Sequence, residues 1–289
     1  LPPGAPEPLC RLAMALRASE AGERPSEDAV FEALETLSSE APPSPAPPPE
    51  PARTFVGRRA ELETLARTTA RTRTGASVVT TVEGESGVGK TALLEAFCSE
   101  AERGGALVLR SRCHLREDVP FKALDALVDE LSRFLVAEPP ESLAALMPPG
   151  VGALLQVFPV LGRVPFRLSE IDHHLNAEPF EVRRQAFLAL RDLLARTAAR
   201  RPLVLWIDDF QWTDEDSVSL LRELLREPGA PAAAWLLAVR TGNGSDPGWR
   251  ASLDEVEPTR RLELPLGPIP PDDGRTLAET LVSSGEPAA

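Results

Sequence analysis

Short apolar runs, rich in β-branched residues, alternate with stretches of helical periodicity through most of this 289-residue chain. Each run has the length of a single strand, and the stretches between them carry apolar residues at spacings of three and four. Strands joined through helices lie parallel in one sheet whose two faces the helices cover. We therefore predict an α/β fold, a three-layer sandwich around a central, mostly parallel five-stranded sheet. The five runs are SVVTTVE (77–83), ALVLR (106–110), PLVLWID (202–208), AAWLLAV (233–239) and RLELPL (261–266).

A proline-rich segment marks the clearest boundary along the chain. Residues 41–51, APPSPAPPPEP, hold seven prolines in eleven positions, so they predict a polyproline spacer rather than a helix or a strand. Further on, helical FKALDALVDELSRFL is followed by proline-broken segments, and RTLAETLVSS predicts one more helix near the end. We therefore predict a linker at 41–52, a sheet domain at 53–266 with a helical insertion at about 115–180, and the start of a truncated lid domain at 267–289.

Composition limits the kinds of partner and compartment. A formal net charge of −13 argues against a nucleic-acid partner for this segment, because phosphate backbones are bound by clustered Lys and Arg. No apolar run approaches the about 18 residues that a membrane span needs, so we expect no membrane contact. Cys10, Cys98 and Cys113 show neither disulfide nor zinc spacing, which favours the cytoplasm. The chain begins with Leu1 rather than Met, and we expect it to be part of a longer protein.

The segment VEGESGVGKT (82–91) joins the first predicted strand to a predicted helix. Its glycines, lysine and threonine satisfy G-x-x-x-x-G-K-[ST], in which backbone N–H groups turn inward as an anion nest at a helix N-terminus. Lys90 would neutralise the β- and γ-phosphates of ATP, and Thr91 would be a ligand of Mg²⁺. The alternative is a glycine-rich turn with an exposed lysine. We expect nucleotide contacts from Gly84, Glu85, Ser86, Gly87, Val88, Gly89, Lys90, Thr91 and Ala92.

Two acids follow the third run. In LVLWIDD, Asp208 and Asp209 come after a strand that is apolar on both faces, so they reach the carboxyl edge of the sheet, where ligands bind in open parallel sheets. We assign Asp208 to Mg²⁺, through water, and Asp209 to polarising the water that attacks ATP. The alternative is a pair of helix-capping acids after an ordinary strand. Aspartate reaches one methylene less far than the commoner glutamate, which keeps open a module that binds nucleotide without hydrolysing it.

These two motifs, the continuation FQWTDEDS and the upstream FVGRRAEL together resemble the AAA-related, Orc1-like ATPase domains of the STAND class, the signal-transduction ATPases with numerous domains. The resemblance spans about residues 53–266 and implies a P-loop NTPase fold. It implies that Val56, Gly57 and Arg58 form a wall against adenine; the alternative for Arg58 is a solvated charge in the first turn of a helix. It also implies that Arg240 senses the γ-phosphate, the alternative being an ordinary surface arginine at a strand end.

The segment after the two acids matches the W-x-D-x-x-S pattern of that family at Trp212, Asp214 and Ser217. Thr213 or Asp214 can cap the helix that follows, while Trp212 buries area beside the site. We therefore interpret these residues as mainly structural; the alternative is a direct role in nucleotide binding.

Residues 1–40 resemble the last helices of a protein kinase C-terminal lobe, with Arg24 and Pro25 at its Arg-Pro signature; the alternative is an unrelated helical hairpin. The 289 residues contain no Gly-rich kinase loop, His-Arg-Asp loop or Asp-Phe-Gly motif, so we expect no kinase activity from them. The resemblance implies a bacterial kinase upstream and sensor or repeat domains downstream as partners, and it leaves nucleotide-dependent oligomerisation open.

Two functions are compatible with these patterns. The first is an ATPase that acts as a signal-transduction switch, in which ATP and Mg²⁺ set the angle between the sheet domain and the lid and hydrolysis resets it. The second is a nucleotide-binding scaffold with little or no hydrolysis. A nucleic-acid motor is disfavoured by the acidic balance.

Overall fold

The structure is a computed structural model, and the chain divides into two compact units between Thr54 and Phe55. Within the first unit it describes Met14 and Ala15, both helical, and Pro25. The kinase-like helices and the linker predicted there lie outside the described residues. In full, the structure describes residues 14–15, 25, 55–115, 120–166, 178–241, 249–254 and 256–284.

A sheet of five strands forms the centre of the second unit. The strands are β1 (Val78–Gly84), β2 (Leu107–Arg112), β3 (Leu203–Asp208), β4 (Ala233–Arg240) and β5 (Arg261–Pro265). They are parallel throughout, in the order β2-β3-β4-β1-β5. The predicted five-stranded sheet is therefore confirmed. Strands β1, β3 and β4 are buried almost throughout, as continuous apolar runs predict, whereas the edge strand β5 is partly exposed.

The register of the sheet decides which residues meet at its carboxyl edge. Gly84 at the end of β1 lies opposite Arg240 at the end of β4. Arg112 at the end of β2 lies opposite Asp208 at the end of β3. Since all five strands end at this edge, side chains from distant parts of the sequence come together there.

Helices cover both faces of the sheet. They are α1 (Arg59–Ala70), α2 (Lys90–Arg103), α3 (Lys122–Ala137), α4 (Pro140–Leu146), α5 (Val151–Val157), α6 (Pro179–Ala198), α7 (Glu215–Leu225), α8 (Trp249–Leu253) and α9 (Pro271–Ser284). Helices α3 to α5 lie in the range predicted for a helical insertion, and α9 begins four residues before the predicted lid helix, at Pro271 rather than Arg275. Among the described residues, no helix is both long enough and apolar enough to cross a membrane.

Two apolar clusters fill the space between the sheet and the helices. Side chains of β3 alternate between them, with Val204 in the smaller cluster and Leu205 in the larger. Leu65 of α1 and Leu93 of α2 belong to the smaller cluster. Helices α3 to α8 contribute to the larger one, of which Phe158 is a fully buried member. The sheet is thus the middle of three layers, as predicted.

Candidate nucleotide-binding site

The glycine-rich loop connects the end of β1 at Gly84 to the start of α2 at Lys90. Gly87 and Gly89 have φ angles of 79° and 95°, in the left-handed region where L side chains are strained, so this turn needs glycine at both positions. The first N–H groups of α2 have no partner within the helix, and its dipole places positive charge at the same end. The loop and the helix together form a site for an anion such as phosphate.

Lys90 is buried, with 7% of its surface exposed. Its Nζ donates hydrogen bonds to the carbonyl oxygens of Gly84, at 2.9 Å, and Glu85, at 2.8 Å. Burial lowers the pKa of the ammonium group, and the positive charge of Arg240 lowers it further, whereas the nearby aspartates raise it. Lys90 is therefore not the exposed lysine of an ordinary turn, because its buried ammonium group donates hydrogen bonds to two carbonyl groups of the loop.

Thr91 and Asp208 are in direct contact. The Thr91 hydroxyl donates to Oδ2 of Asp208 at 3.0 Å, which joins the first turn of α2 to the end of β3. A hydroxyl and a carboxylate beside a phosphate site fit Mg²⁺, which takes one or two protein ligands and completes its shell with phosphate oxygens and water. No group of three or more His, Cys, Asp or Glu side chains is arranged to hold a metal in the described parts of the chain. Magnesium here would thus depend on the nucleotide for some of its ligands.

The Asp209 carboxylate accepts hydrogen bonds from two arginines and a glutamine. Its Oδ2 accepts from Nε and Nη2 of Arg112 at 3.2 and 3.0 Å, and its Oδ1 accepts from Nε of Arg240 at 2.9 Å. The amide nitrogen of Gln211 donates to Oδ1 at 3.0 Å. Burial alone would raise the pKa of Asp209, but the hydrogen bonds from Gln211, Arg240 and Arg112 outweigh it, so the pKa lies below its ordinary value. Asp209 is therefore an anion with both oxygens engaged.

The sequence patterns did not identify Arg112 or Gln211 as site residues. Arg112 lies two residues beyond the predicted end of the second run, and its side chain is 55% exposed. Its signal would have been a cation at the carboxyl end of a strand adjacent to β3, but strand order is not visible in the sequence. Gln211 also accepts from the backbone N–H of Arg240 at 3.0 Å, so it fixes Asp209 and the end of β4 together.

Arg240 and Arg58 are both bound within the protein. Arg240 contacts Asp209, so it is not a free surface arginine; its sensing role stays a prediction.

Arg58 precedes α1 instead of lying in its first turn, and it is 5% exposed. Its Nη2 donates to the carbonyl oxygens of Val88, at 2.8 Å, and Gly267, at 2.7 Å. A solvated charge is therefore wrong for Arg58, and the adenine wall of Val56, Gly57 and Arg58 stays a prediction.

Asp214 is the N-cap of α7, one of the two caps that the sequence offered. Its Oδ2 accepts from the backbone N–H groups of Ser217 and Phe121, each at 3.0 Å. The Ser217 hydroxyl donates to Asp214 Oδ1 and accepts from the N–H of Ala123 at 3.1 Å. Asp214 and Ser217 thus tie the start of α3 to the start of α7, immediately after the segment that carries Asp209.

The fold and this edge define a P-loop NTPase, an α/β protein with a phosphate loop after β1 and acids at the end of β3, which β4 separates from β1 in the sheet. Residues 54–237, more than half of the chain, match a family model described as AAA ATPase domain. The chain therefore belongs to the AAA ATPase domain family, and it is a nucleotide-binding domain.

Several solved structures are similar to this chain at low identity. The Orc1 protein of Aeropyrum pernix in complex with DNA is 17% identical, with a TM-score of 0.43, over 82% of this chain and 52% of that one. Cdc6p of Pyrobaculum aerophilum is 16% identical, with a TM-score of 0.47, over 82% and 52%. A signal transduction ATPase with numerous domains and a tetratricopeptide repeat sensor, from Pyrococcus horikoshii, is 16% identical, with a TM-score of 0.37, over 81% and 26%.

The chain spans about half the length of the Orc1 and Cdc6p structures that it matches. No curated protein sequence is significantly similar to it. Likenesses this distant carry no information about activity.

Proposed function

We propose that this domain binds ATP with Mg²⁺, hydrolyses it, and acts as a switch within a longer regulatory protein. The observation that carries the proposal is the clamp on Asp209, whose carboxylate accepts hydrogen bonds from Arg112 and Arg240 and which directly follows Asp208, the partner of Thr91. The groups that we assign to phosphoryl transfer, Lys90, Thr91, Asp208 and Asp209, are joined by hydrogen bonds to one another or to the phosphate loop and to Arg112 and Arg240 at this edge, which supports the proposal.

Lys90 supports ATP as a ligand of the loop. Its ammonium is desolvated and satisfied by the carbonyls of Gly84 and Glu85, which are neutral acceptors. A triphosphate offers charged acceptors, and hydrogen bonds between charged groups are about twice as strong as neutral ones. Binding of ATP therefore gives this buried cation its counter-ion.

The arginines at Asp209 support a two-state switch. The γ-phosphate and the Asp209 carboxylate are both anions. A γ-phosphate bound at the loop would lie at the same carboxyl edge of the sheet and would compete with Asp209 for Arg112 and Arg240. A diphosphate lacks that group and would leave the clamp closed. A ligand shifts a conformational equilibrium only through contacts that differ between the states, and this competition supplies such a difference.

The same clamp favours a second candidate, a nucleotide-binding scaffold with little or no hydrolysis. An aspartate whose oxygens are both engaged and whose pKa is lowered is a weak general base. If the arginines stay on Asp209 when ATP binds, turnover remains slow and the bound nucleotide serves only to order the domain.

The test compares ATP binding and turnover in the parent chain, Lys90→Ala, Asp209→Asn and a control, Lys122→Ala, which removes the chain's other lysine. We expect Lys90→Ala to lose at least about tenfold in ATP affinity, because a charged hydrogen-bond partner is lost, and Lys122→Ala to match the parent. Asp209→Asn should bind ATP and lose about 100-fold or more in turnover. Binding is measured by calorimetry and turnover by phosphate release.

Each outcome separates the candidates. Equal ATP affinity in Lys90→Ala and the parent would show that the loop is not the phosphate site. Parent turnover no faster than background would leave the scaffold as the function, whereas turnover above background that is equal in the parent and Asp209→Asn would show that Asp209 does not polarise the attacking water.

The wider setting is also a proposal. The sequence resemblance supports a switch that communicates with an upstream kinase and downstream sensor domains of the same protein, and the scattered cysteines support a cytoplasmic location. We propose no DNA partner for this segment, because its net charge is −13.

A further inference from the structure

Three segments that are distant in the sequence meet at the guanidinium group of Arg58. Val88 belongs to the phosphate loop, and Gly267 lies in the connection between β5 and α9. One nitrogen, Nη2, donates to the backbone carbonyls of both, at 2.8 and 2.7 Å, while Nη1 contacts Glu61 at 3.2 Å. A single side chain therefore holds the phosphate loop and the start of the lid segment together.

The backbones of these two segments are also in close contact. A Cβ at Gly84 would lie 2.6 Å from the carbonyl oxygen of Leu266, nearer than real Cβ atoms approach, so glycine is required there. The N–H of Leu266 donates to the carbonyl of Glu83 at 2.6 Å. The connection between β5 and α9 therefore lies against the end of β1, where the phosphate loop begins.

The first turn of α9 rests on the segment that carries Arg58. Gly57 has a φ of 82°, and a Cβ there would lie 2.4 Å from Oδ2 of Asp273. Farther along α9, Arg275, Thr276 and Glu279 are exposed. The helix is thus supported near its start, where a change of angle has the greatest effect on the rest of it.

The backbone of Arg58 indicates that its position is imposed by these contacts. Its φ is 53°, in the left-handed region that arginine rarely adopts. Such a conformation persists only where the surroundings fix it. A buried guanidinium also needs its acceptors, because a cation left without them is strongly unfavourable away from water. If either carbonyl moves, Arg58 must follow it or lose a hydrogen bond.

We propose that Arg58 is a positioning residue that couples the conformation of the phosphate loop to the angle of α9. The inference rests on the proposed function, since the input is a phosphate chain in the loop. When loop N–H groups turn toward phosphate, the carbonyl of Val88 turns with them, and Arg58 transfers that change to Gly267. This coupling needs no base, which separates it from a wall against adenine.

The experiment therefore uses two ligands, ATP and tripolyphosphate, which has the same phosphate chain without ribose or base. The proteins are the 289-residue parent, Arg58→Ala, Arg58→Lys and a matched control, Arg59→Ala, which removes the neighbouring exposed arginine. Calorimetry gives each affinity, and hydrogen exchange of residues 266–280 with and without each ligand reports on the lid segment. Thermal denaturation shows which variants are folded.

We expect Arg58→Ala to weaken ATP and tripolyphosphate by the same factor, about tenfold, because the loop loses a hydrogen bond from a charged group. The ligand-dependent change in exchange at 266–280, present in the parent, should disappear. Arg58→Lys keeps the charge and most of the packing, but an ammonium lacks the fixed fork of a guanidinium. It should bind both ligands within about threefold of the parent and still lose the exchange change. Arg59→Ala should behave as the parent.

Four results would overturn the inference. Loss of ATP affinity in Arg58→Ala with unchanged tripolyphosphate affinity would identify an adenine contact instead. A folded Arg58→Lys variant that keeps the ligand-dependent change in exchange would show that the guanidinium group does not couple the phosphate loop to α9. If Arg58→Ala is unfolded, the Arg58→Lys variant alone tests the inference. A parent that binds both ligands without any change at 266–280 would end the inference while the proposed function stands. A parent that binds neither would end both.

Discussion

Asp209 shows how one buried charge organises its surroundings. The residue has a φ of 51° and is 8% exposed, so both its backbone and its carboxylate would be unfavourable without partners. Arg112, Arg240 and Gln211 provide donors from three different elements or turns. The hydrogen bonds that compensate for burying this carboxylate also fix its position at the edge where we expect nucleotide to bind.

Cys98, on helix α2, is a second buried titratable residue. It lies on the buried face of α2 with no exposed surface, and burial raises its pKa to about 12. Because the thiolate is the reactive form, we expect iodoacetamide to leave Cys98 unlabelled in the native chain at about pH 8, and still at about pH 9. Labelling requires the pH to approach the raised pKa or the chain to unfold. Mass spectrometry of the Cys98 peptide measures this.

The control for Cys98 is the same peptide labelled in urea, where the thiol regains its ordinary pKa and its access to reagent. Rapid labelling of the native chain at about pH 8 would mean that α2 leaves the sheet readily, contrary to the packing of Leu93 and Leu94.

At the scale of elements, helices α3 and α7 begin at one shared pair of side chains. Asp214 and Ser217 accept the N–H groups of Phe121 and Ala123 as well as capping α7 itself. Phe121 has a φ of 62°, and its ring contacts Phe158 and Phe187 at centroid distances of 5.5 and 5.6 Å. The helices of the insertion are thus fastened to the segment that follows Asp209.

Removal of this fastening has a predictable cost. Asp214→Ala loses an N-cap, worth about 1 kcal/mol, and leaves the partly buried N–H of Phe121 without its acceptor, which costs about 1–3 kcal/mol. We therefore expect the free energy of unfolding, measured in urea, to fall by about 2–4 kcal/mol. Asp214→Asn keeps an acceptor oxygen and should lose less.

Glu215→Ala is the matched control, because Glu215 is exposed in the first turn of the same helix. It should cost less than about 1 kcal/mol through the helix dipole alone. An equal loss in the Asp214→Ala and Glu215→Ala variants would show that the bonds to α3 contribute nothing.

The elements that could be predicted from the sequence are those whose cause is local. The inner strands β1, β3 and β4 were predictable because a buried parallel strand must be largely apolar, and the loop because its left-handed φ angles favour glycine. Asp214 was one of two predicted caps, since capping acts within one turn. The partners of Arg58 were not predictable, because Gly267 lies 209 residues away and contact depends on the strand order. The same holds for Arg112 and Asp209, which meet through the pairing of β2 with β3.

At the scale of the whole molecule, both apolar clusters lie in the unit Phe55–Ala289. This unit contains the sheet, the phosphate loop and α9, so its fold depends on its own core. Membership of the AAA ATPase domain family covers residues 54–237 and begins at the same boundary. The chain is thus built around one nucleotide-binding domain.

A chain of residues 55–289 should therefore be as stable as the full chain. We expect its thermal midpoint to lie within about 2 °C of that of residues 1–289, because both apolar clusters of the described residues lie within residues 55–289. A chain that begins at Ala76 is the contrasting variant, since it lacks α1 and the fully buried Leu65. Its midpoint should fall by several degrees. Scanning calorimetry measures all three, and a shorter chain that begins at Phe55 and melts well below the full chain would contradict the autonomy of this unit.

The strand order also has a consequence during synthesis. β1 carries the phosphate loop, yet both of its neighbours, β4 and β5, come from the last 57 residues of the chain. A nascent polypeptide that ends before Ala233 leaves both edges of β1 without their partners, and such open edges invite aggregation. During translation the phosphate loop therefore emerges well before the strands that flank it, and a truncated product that stops short of β4 and β5 should aggregate more readily than the whole domain.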